Sequence, residues 1–182
     1  MRLGMAFCLT LLFLDQVYAR DGLYIQQASS ELNPGNLYVL HATIVYRLTS
    51  AQKKALHNGL PIMIKFRVEF LRKRPVLDEE VSNLKQRFVL TYRALTQDYH
   101  LRNLNSGAEF NFESLSTALK TAGLVRNYPL IDRNILEPGE RYSIRIRAHT
   151  EVIDLPTTIK LMNYFSDKWS QTSDWYKWPL QF

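Results

Sequence analysis

The sequence predicts an all-β fold: one antiparallel β-sandwich of seven or eight strands, with two or three short helices. Two patterns carry that prediction. Apolar and polar residues alternate with period two in segment after segment, as half-buried strands require. Clusters of Pro, Gly and Asn separate those segments, and stretches with helical spacing are few and short. Internal repeats and low-complexity linkers are absent, so residues 20–182 read as a single domain.

A first strand is expected near Tyr24–Ser30. "NPGN" (33–36) follows it, with Pro34 and Gly35 suited to the centre of a type II turn. "LYVLHATIVYRL" then sends Leu40, Ala42, Ile44, Tyr46 and Leu48 one way and His41, Thr43 and Arg47 the other. "TSAQKKALHNG" reads as a helix with Thr49 or Ser50 as N-cap and Gly59 near its end. "IMIKFRVEF" alternates cleanly: Ile62, Ile64, Phe66, Val68 and Phe70 oppose Met63, Lys65, Arg67 and Glu69. The acidic run Asp78-Glu79-Glu80 is expected in a loop beside Arg72–Arg74. "KQRFVLTYRAL" sets Phe88, Leu90 and Tyr92 against Arg87, Thr91 and Arg93. "NLNSGAEF" predicts a hairpin turn between "YHLRN" and "EFNF". "FESLSTALKTAG" places Leu115, Ala118, Leu119 and Ala122 on one helical face, with Gly123 as a stop. "RYSIRIRAHTEV" sets Tyr142, Ile144, Ile146 and Ala148 against Arg141, Arg145, Arg147 and His149, and a third helix is expected in "PTTIKLMNYF".

The opening stretch has the form of an export signal. Arg2 is followed by an almost wholly apolar run, Leu3 to Leu14, and Val17 and Ala19 provide small residues before a cleavage site after Ala19. The run falls short of the about 20 residues that span a bilayer, so a cleaved signal is expected, with contact with the membrane only through this transient segment; the alternative is an uncleaved anchor. Cys8 lies early in the run behind Phe7, whereas a lipid-modified cysteine would follow small residues at its end. Cleavage removes this only cysteine, and with it any disulfide, thiolate nucleophile or Cys-based metal site. A single domain of about 160 residues buries roughly 70% of its unfolded surface, which suffices without disulfides. The leader carries one base, Arg2, and one acid, Asp15, so the formal net charge of +6 stays with the mature chain.

"LEPGERYSIRIRA" (136–148) places a tyrosine just after a Pro-Gly turn. This resembles the tyrosine corner of immunoglobulin and fibronectin type III sandwiches, in which the hydroxyl bonds back to upstream backbone. The resemblance implies that Tyr142 turns inward over the loop of Pro138 and Gly139, and that Ile144 stands where antibody domains carry a cysteine. The Cys…Trp…Cys framework is absent, so the likeness is one of architecture.

No catalytic, cofactor or metal constellation stands out. His41, His57, His100 and His149 lie on separate segments without the spacing of a zinc site. There is no Gly-x-Ser-x-Gly elbow and no Gly-rich phosphate loop. A carboxylate pair for hydrolysis would assemble only in three dimensions, and nothing marks one.

The cations form the stronger pattern. If the strand of Lys65 and Arg67 lies beside that of Arg145 and Arg147, four cations share one outer face with no acid between them, repelling one another by tenths of a kcal/mol per pair. An acidic partner would relieve that repulsion; an ordinary solvated face would balance it with Glu69, Glu151 and water. Nucleic acid matches the charge but not export. An acidic protein surface or anionic lipid headgroups match both. All three tryptophans lie in the last fourteen residues. An extended "KWSQTSDWYKWPL" puts Trp169 and Trp175 on one side and Tyr176 and Trp178 on the other. One side must meet the core. The other is either an aromatic strip for a partner or is covered as well.

"YRALTQDYHLRNLNSG", the Ile135–Tyr142 stretch and the ending "SDKWSQTSDWYKWPLQ" resemble an uncharacterised proteobacterial family, the domain of unknown function 4390, along essentially the whole chain beyond the leader. The most specific pieces are Arg102–Gly107, Glu137–Tyr142 and Ser173–Trp178. The resemblance implies a periplasmic protein, encoded beside a membrane sensor kinase of the nitrogen-regulation type, and no catalytic residue. The loop "RKRPVLDEE" lacks the tryptophans of many relatives, so no role carries over to it. The expected function is a non-enzymatic interaction module, with Lys65, Arg67, Arg145, Arg147, Trp175, Tyr176 and Trp178 as partner-binding residues and no cofactor. The expected partner is an acidic protein surface, that of the kinase's extracytoplasmic region being the candidate. The alternatives are an envelope-glycan or anionic-lipid binder and an unrecognised hydrolase.

Overall fold

A computed structural model of the chain describes residues 22–154 and 168–181. The export signal and the helix expected in "PTTIKLMNYF" lie outside the described residues.

Two antiparallel sheets face each other. The smaller has the order β1 (Tyr24–Leu32), β2 (Leu37–Val45), β7 (Leu124–Asp132). The larger runs β10 (Tyr176–Pro179), β8 (Tyr142–Val152), β3 (Ile62–Arg72), β4 (Glu79–Arg93), β5 (Asp98–Asn103), β6 (Glu109–Phe112), with β9 (Ser170–Thr172) also pairing with β8. This is the immunoglobulin-like division, with extra strands added beyond the central pair β8 and β3. Tyr38, Leu40, Ala42 and Ile44 face Ile64, Phe66, Val68, Ile144 and Ile146 across the interior, every one of them buried. Each fully buried aliphatic side chain here contributes about 1.5–3 kcal/mol relative to exposure.

Two helices close one end. α1 (Ser50–His57) starts at a capping box: the Thr49 hydroxyl accepts from Gln52 N–H, and the Gln52 side chain accepts from Thr49 N–H. Gln52 is wholly buried, and its amide NH2 donates to the Thr150 hydroxyl at 3.1 Å. α2 (Leu115–Gly123) is capped by Ser114 and buries Ala118, Leu119 and Ala122. α2 ends at Gly123, as the sequence predicts, though without a left-handed backbone; the residue sits where α2 meets the backbone of β2, and a Cβ there would lie 2.1 Å from the Ile44 carbonyl oxygen.

Four further features depart from the expectations. Ten strands are present among the described residues, more than the seven or eight expected. β7 escaped the alternation pattern because Pro129 interrupts it and Asn127 takes a positive φ of 50°; a proline is tolerated there because β7 is an edge strand. The turn at 33–36 is not type II, since its left-handed residue is Asn36 (φ 61°) and not Gly35. The acidic run opens a strand, with Glu79 and Glu80 paired to Arg72 and Leu71 in the β3–β4 ladder.

At the other end of the sandwich, Tyr142 is 3% exposed and its hydroxyl accepts a hydrogen bond from Glu137 N–H at 3.0 Å. Gly139 turns the loop at φ 82°, behind Pro138. The corner thus satisfies a backbone donor that the tight turn would otherwise strand, and it sets the start of β8.

Candidate functional site

β3 and β8 pair along their full lengths, so their outward residues form cross-strand rows that continue into β4. One row is Arg147, Arg67 and Lys85; the next is His149, Lys65 and Arg87; below them lie Arg145, Glu69 and Asn83. Directly opposed like charges in a sheet destabilise it, so the neutralisation of these rows decides what the face can do.

Glu69 accounts for part of it. Although it belongs to the outer face, it is 2% exposed, covered by the stems of its two partners. Its Oε1 lies 2.6 Å from Arg67 Nη2, and its Oε2 accepts from Arg145 Nε at 2.6 Å and lies 2.5 Å from Arg145 Nη2. The four-cation face therefore contains an acid, and Glu69 supplies part of the balance that the solvated-face alternative expected of it. Lys65 Nζ meets Glu151 Oε1 at 2.7 Å. Burial opposes the charge of Glu151, but Lys65 and His149 outweigh it and hold the carboxyl below its usual range. That leaves Arg147, Lys85 and Arg87 with no carboxylate partner among the described residues. The sequence puts Arg87 on the polar side of its strand, but places neither it nor Lys85 at the site. Their signal was Arg87's position opposite Phe88 in the β4 alternation, but only the hairpin register sets Lys85 beside Arg67.

Trp175 joins this face through a β-bulge. In β9, Thr172 pairs with His149; in β10, Tyr176 pairs with Ile146. Three residues, Ser173, Asp174 and Trp175, therefore oppose two, Arg147 and Ala148, and the extra residue reverses the parity of the strand. The Ser173 hydroxyl accepts from Ala148 N–H at 3.0 Å and so repairs the ladder. Trp169 accordingly packs on the core, on the opposite side from Trp175, and the two do not share a side as simple alternation required. The guanidinium carbons of Arg145 and Arg147 lie 4.4 and 4.5 Å from the Trp175 ring centre, contacts worth about 0.5–1 kcal/mol each at a partly exposed site.

Tyr176 and Trp178 face inward. Both pack against the core, and Trp178 Nε1 donates to the Ser30 hydroxyl on β1 at 3.1 Å. The structure thus gathers Lys65, Arg67, Arg145, Arg147 and Trp175 on one surface and puts Tyr176 and Trp178 on the other side of the same strand.

His149 stands within the cationic rows. Burial, then the nearby charge of Lys65, push its pKa below the ordinary 6.5, and Glu151 only partly restores it. The unfolded chain therefore binds this proton at a higher pH than the folded chain does, and stability falls as pH drops. The contribution of His149 is fully present above pH 6.5 and is lost as pH falls through the folded-state value. Urea unfolding at pH 7.5 and 5.5 should show a smaller stability difference for His149→Gln than for the parent chain; equal differences would remove His149 as the cause. The other histidines make separate contacts: His41 with Glu31, His57 with Tyr99 and His100 with Glu109. Among the described residues, no three His, Asp or Glu side chains converge as metal ligands would, and no helix is long and apolar enough to cross a membrane.

The family model described as a domain of unknown function (DUF4390) matches residues 20–179. No curated protein and no solved structure matches the chain.

Proposed function

The chain belongs to the DUF4390 family, and we propose that it is a periplasmic, non-enzymatic interaction module that docks an acidic protein surface on the outer face of β8, β3 and β4. The candidate partner is the extracytoplasmic region of a membrane sensor kinase. The observation that carries this reading is the row Arg147–Arg67–Lys85, three cations abreast in the ladder, with Lys65 and Arg87 in the next row. Glu69 and Glu151 compensate Arg67, Arg145 and Lys65, Lys85 and Arg87 are exposed, and Arg147 is half-buried beside Trp175. A carboxylate-bearing loop laid on Arg147, Lys85 and Arg87 would relieve the repulsion, and Trp175 supplies a flat apolar contact beside it. Arg and Trp are the side chains that most often anchor protein interfaces.

Lys85 and Arg87 are exposed and make no ion pair among the described residues, so reversing them leaves the fold intact. Binding of the kinase's extracytoplasmic region, measured by calorimetry at low and high salt, should weaken with salt. It should also fall at least about tenfold in the Lys85→Glu/Arg87→Glu variant. Binding that is insensitive both to salt and to this variant would rule the docking face out.

A further inference from the structure

A second surface is built differently. Between the end of β2, the start of α1 and the outer side of α2 lies an open cleft of about 850 Å³, within the range of small-molecule sites. Leu48, Leu119 and Leu124 give it apolar walls, and Leu124 is 49% exposed. Its charged lining is of one sign: Arg47, Lys53 and Lys120, with no Asp or Glu among the described lining residues. Lys53 and Lys120 make no ion pair among the described residues. Tyr46 also lines the cleft, and its buried hydroxyl has no hydrogen-bond partner among the described residues. Burial holds that hydroxyl protonated, so it remains a hydrogen-bond donor.

We infer that this cleft binds an acyl chain with an anionic head, the chain lying along Leu48, Leu119 and Leu124 and the head meeting Lys53 and Lys120. A small inorganic anion would leave the leucine walls wet, and a neutral hydrocarbon would leave the lysines unused; an anionic amphiphile satisfies both. None of the lining residues belongs to β3, β4 or β8, so this site and the docking face stand or fall separately.

The test is a fluorescence titration of the purified chain with dansyl-undecanoic acid, competed by dodecanoate and by dodecanol. A saturable blue shift is expected, displaced by dodecanoate far better than by dodecanol. Lys53→Glu/Lys120→Glu should weaken binding about tenfold. Leu124→Glu, at a half-exposed position that the fold tolerates, should abolish it, while Lys85→Glu/Arg87→Glu should leave it unchanged. Flotation with phosphatidylglycerol vesicles separates the sources. Flotation lost in Leu124→Glu assigns the chain of a membrane phospholipid, and its absence alongside probe binding assigns a free fatty acid. No saturable shift, equal displacement by the alcohol, or binding unaffected by both cleft variants would overturn the inference.

Discussion

Arg145→Met is expected to destabilise the fold by about 3 kcal/mol, the lower end of the cost of stranding a buried charge. The reason lies in an asymmetry of exposure: Arg145 and Arg67 keep 35% and 40% of their side-chain surface, whereas Glu69 keeps 2%. Removing Arg145 takes away both contacts to Glu69 Oε2 and leaves a carboxylate that water barely reaches, held among the described residues by Arg67. Glu69→Gln is the informative comparison. It leaves two guanidinium groups that can turn to solvent, and it should cost only about 1 kcal/mol. Adding Glu69→Gln to Arg145→Met should then recover much of the loss, a coupling that chemical denaturation in a double-mutant cycle reads directly. If Glu69→Gln proves as damaging as Arg145→Met, or the two losses simply add, Glu69 is not the buried centre of this face.

Gly123→Ala is expected to cost roughly 3 kcal/mol, the upper end for overpacking, although helix propensity alone favours alanine over glycine by about 1 kcal/mol. Backbone freedom is not at stake, because Gly123 does not hold a positive φ. The new Cβ would sit 2.1 Å from the Ile44 carbonyl oxygen and 3.1 Å from its carbon, and neither atom can move without moving β2. Either α2 lifts from the sheet and exposes Ala118 and Ala122, or β2 bends away from β7. Thermal unfolding should show a larger drop for Gly123→Ala than for Gly107→Ala, where the added Cβ meets nothing within 4 Å and the penalty is only that of the positive φ, about 1–2 kcal/mol. A stable Gly123→Ala would mean that α2 is seated less closely than the structure places it.

The corner was legible because its parts are consecutive: Pro138, Gly139 and Tyr142 lie within one turn, and the hydroxyl reaches only to Glu137. Much of the outer face was legible for the same kind of reason, since Lys65, Arg67, Arg145 and Arg147 occupy the polar phase of two strands whose other phase is apolar. Glu69 was visible in that phase too, but its burial was not, because it depends on Arg145 standing opposite across the ladder. Trp175 was assigned the same side as Trp169, and one extra residue opposite Arg147 and Ala148 reversed it. Parity counting fails at a bulge because the signal for the bulge, a serine hydroxyl standing in for a ladder bond, has no period.

The order of residues along the chain was enough to determine which side chains share a face of each strand, because a pleated backbone alternates every residue whatever lies beside it. It determined the inward tyrosine at the corner by the same local logic. Only the tertiary structure decided which strands are neighbours and in what register, and hence which cations meet Glu69 and Glu151 and which stay uncompensated. Charge compensation acts across a gap of a few ångströms between segments that lie tens of residues apart, and nothing in a local pattern encodes that distance.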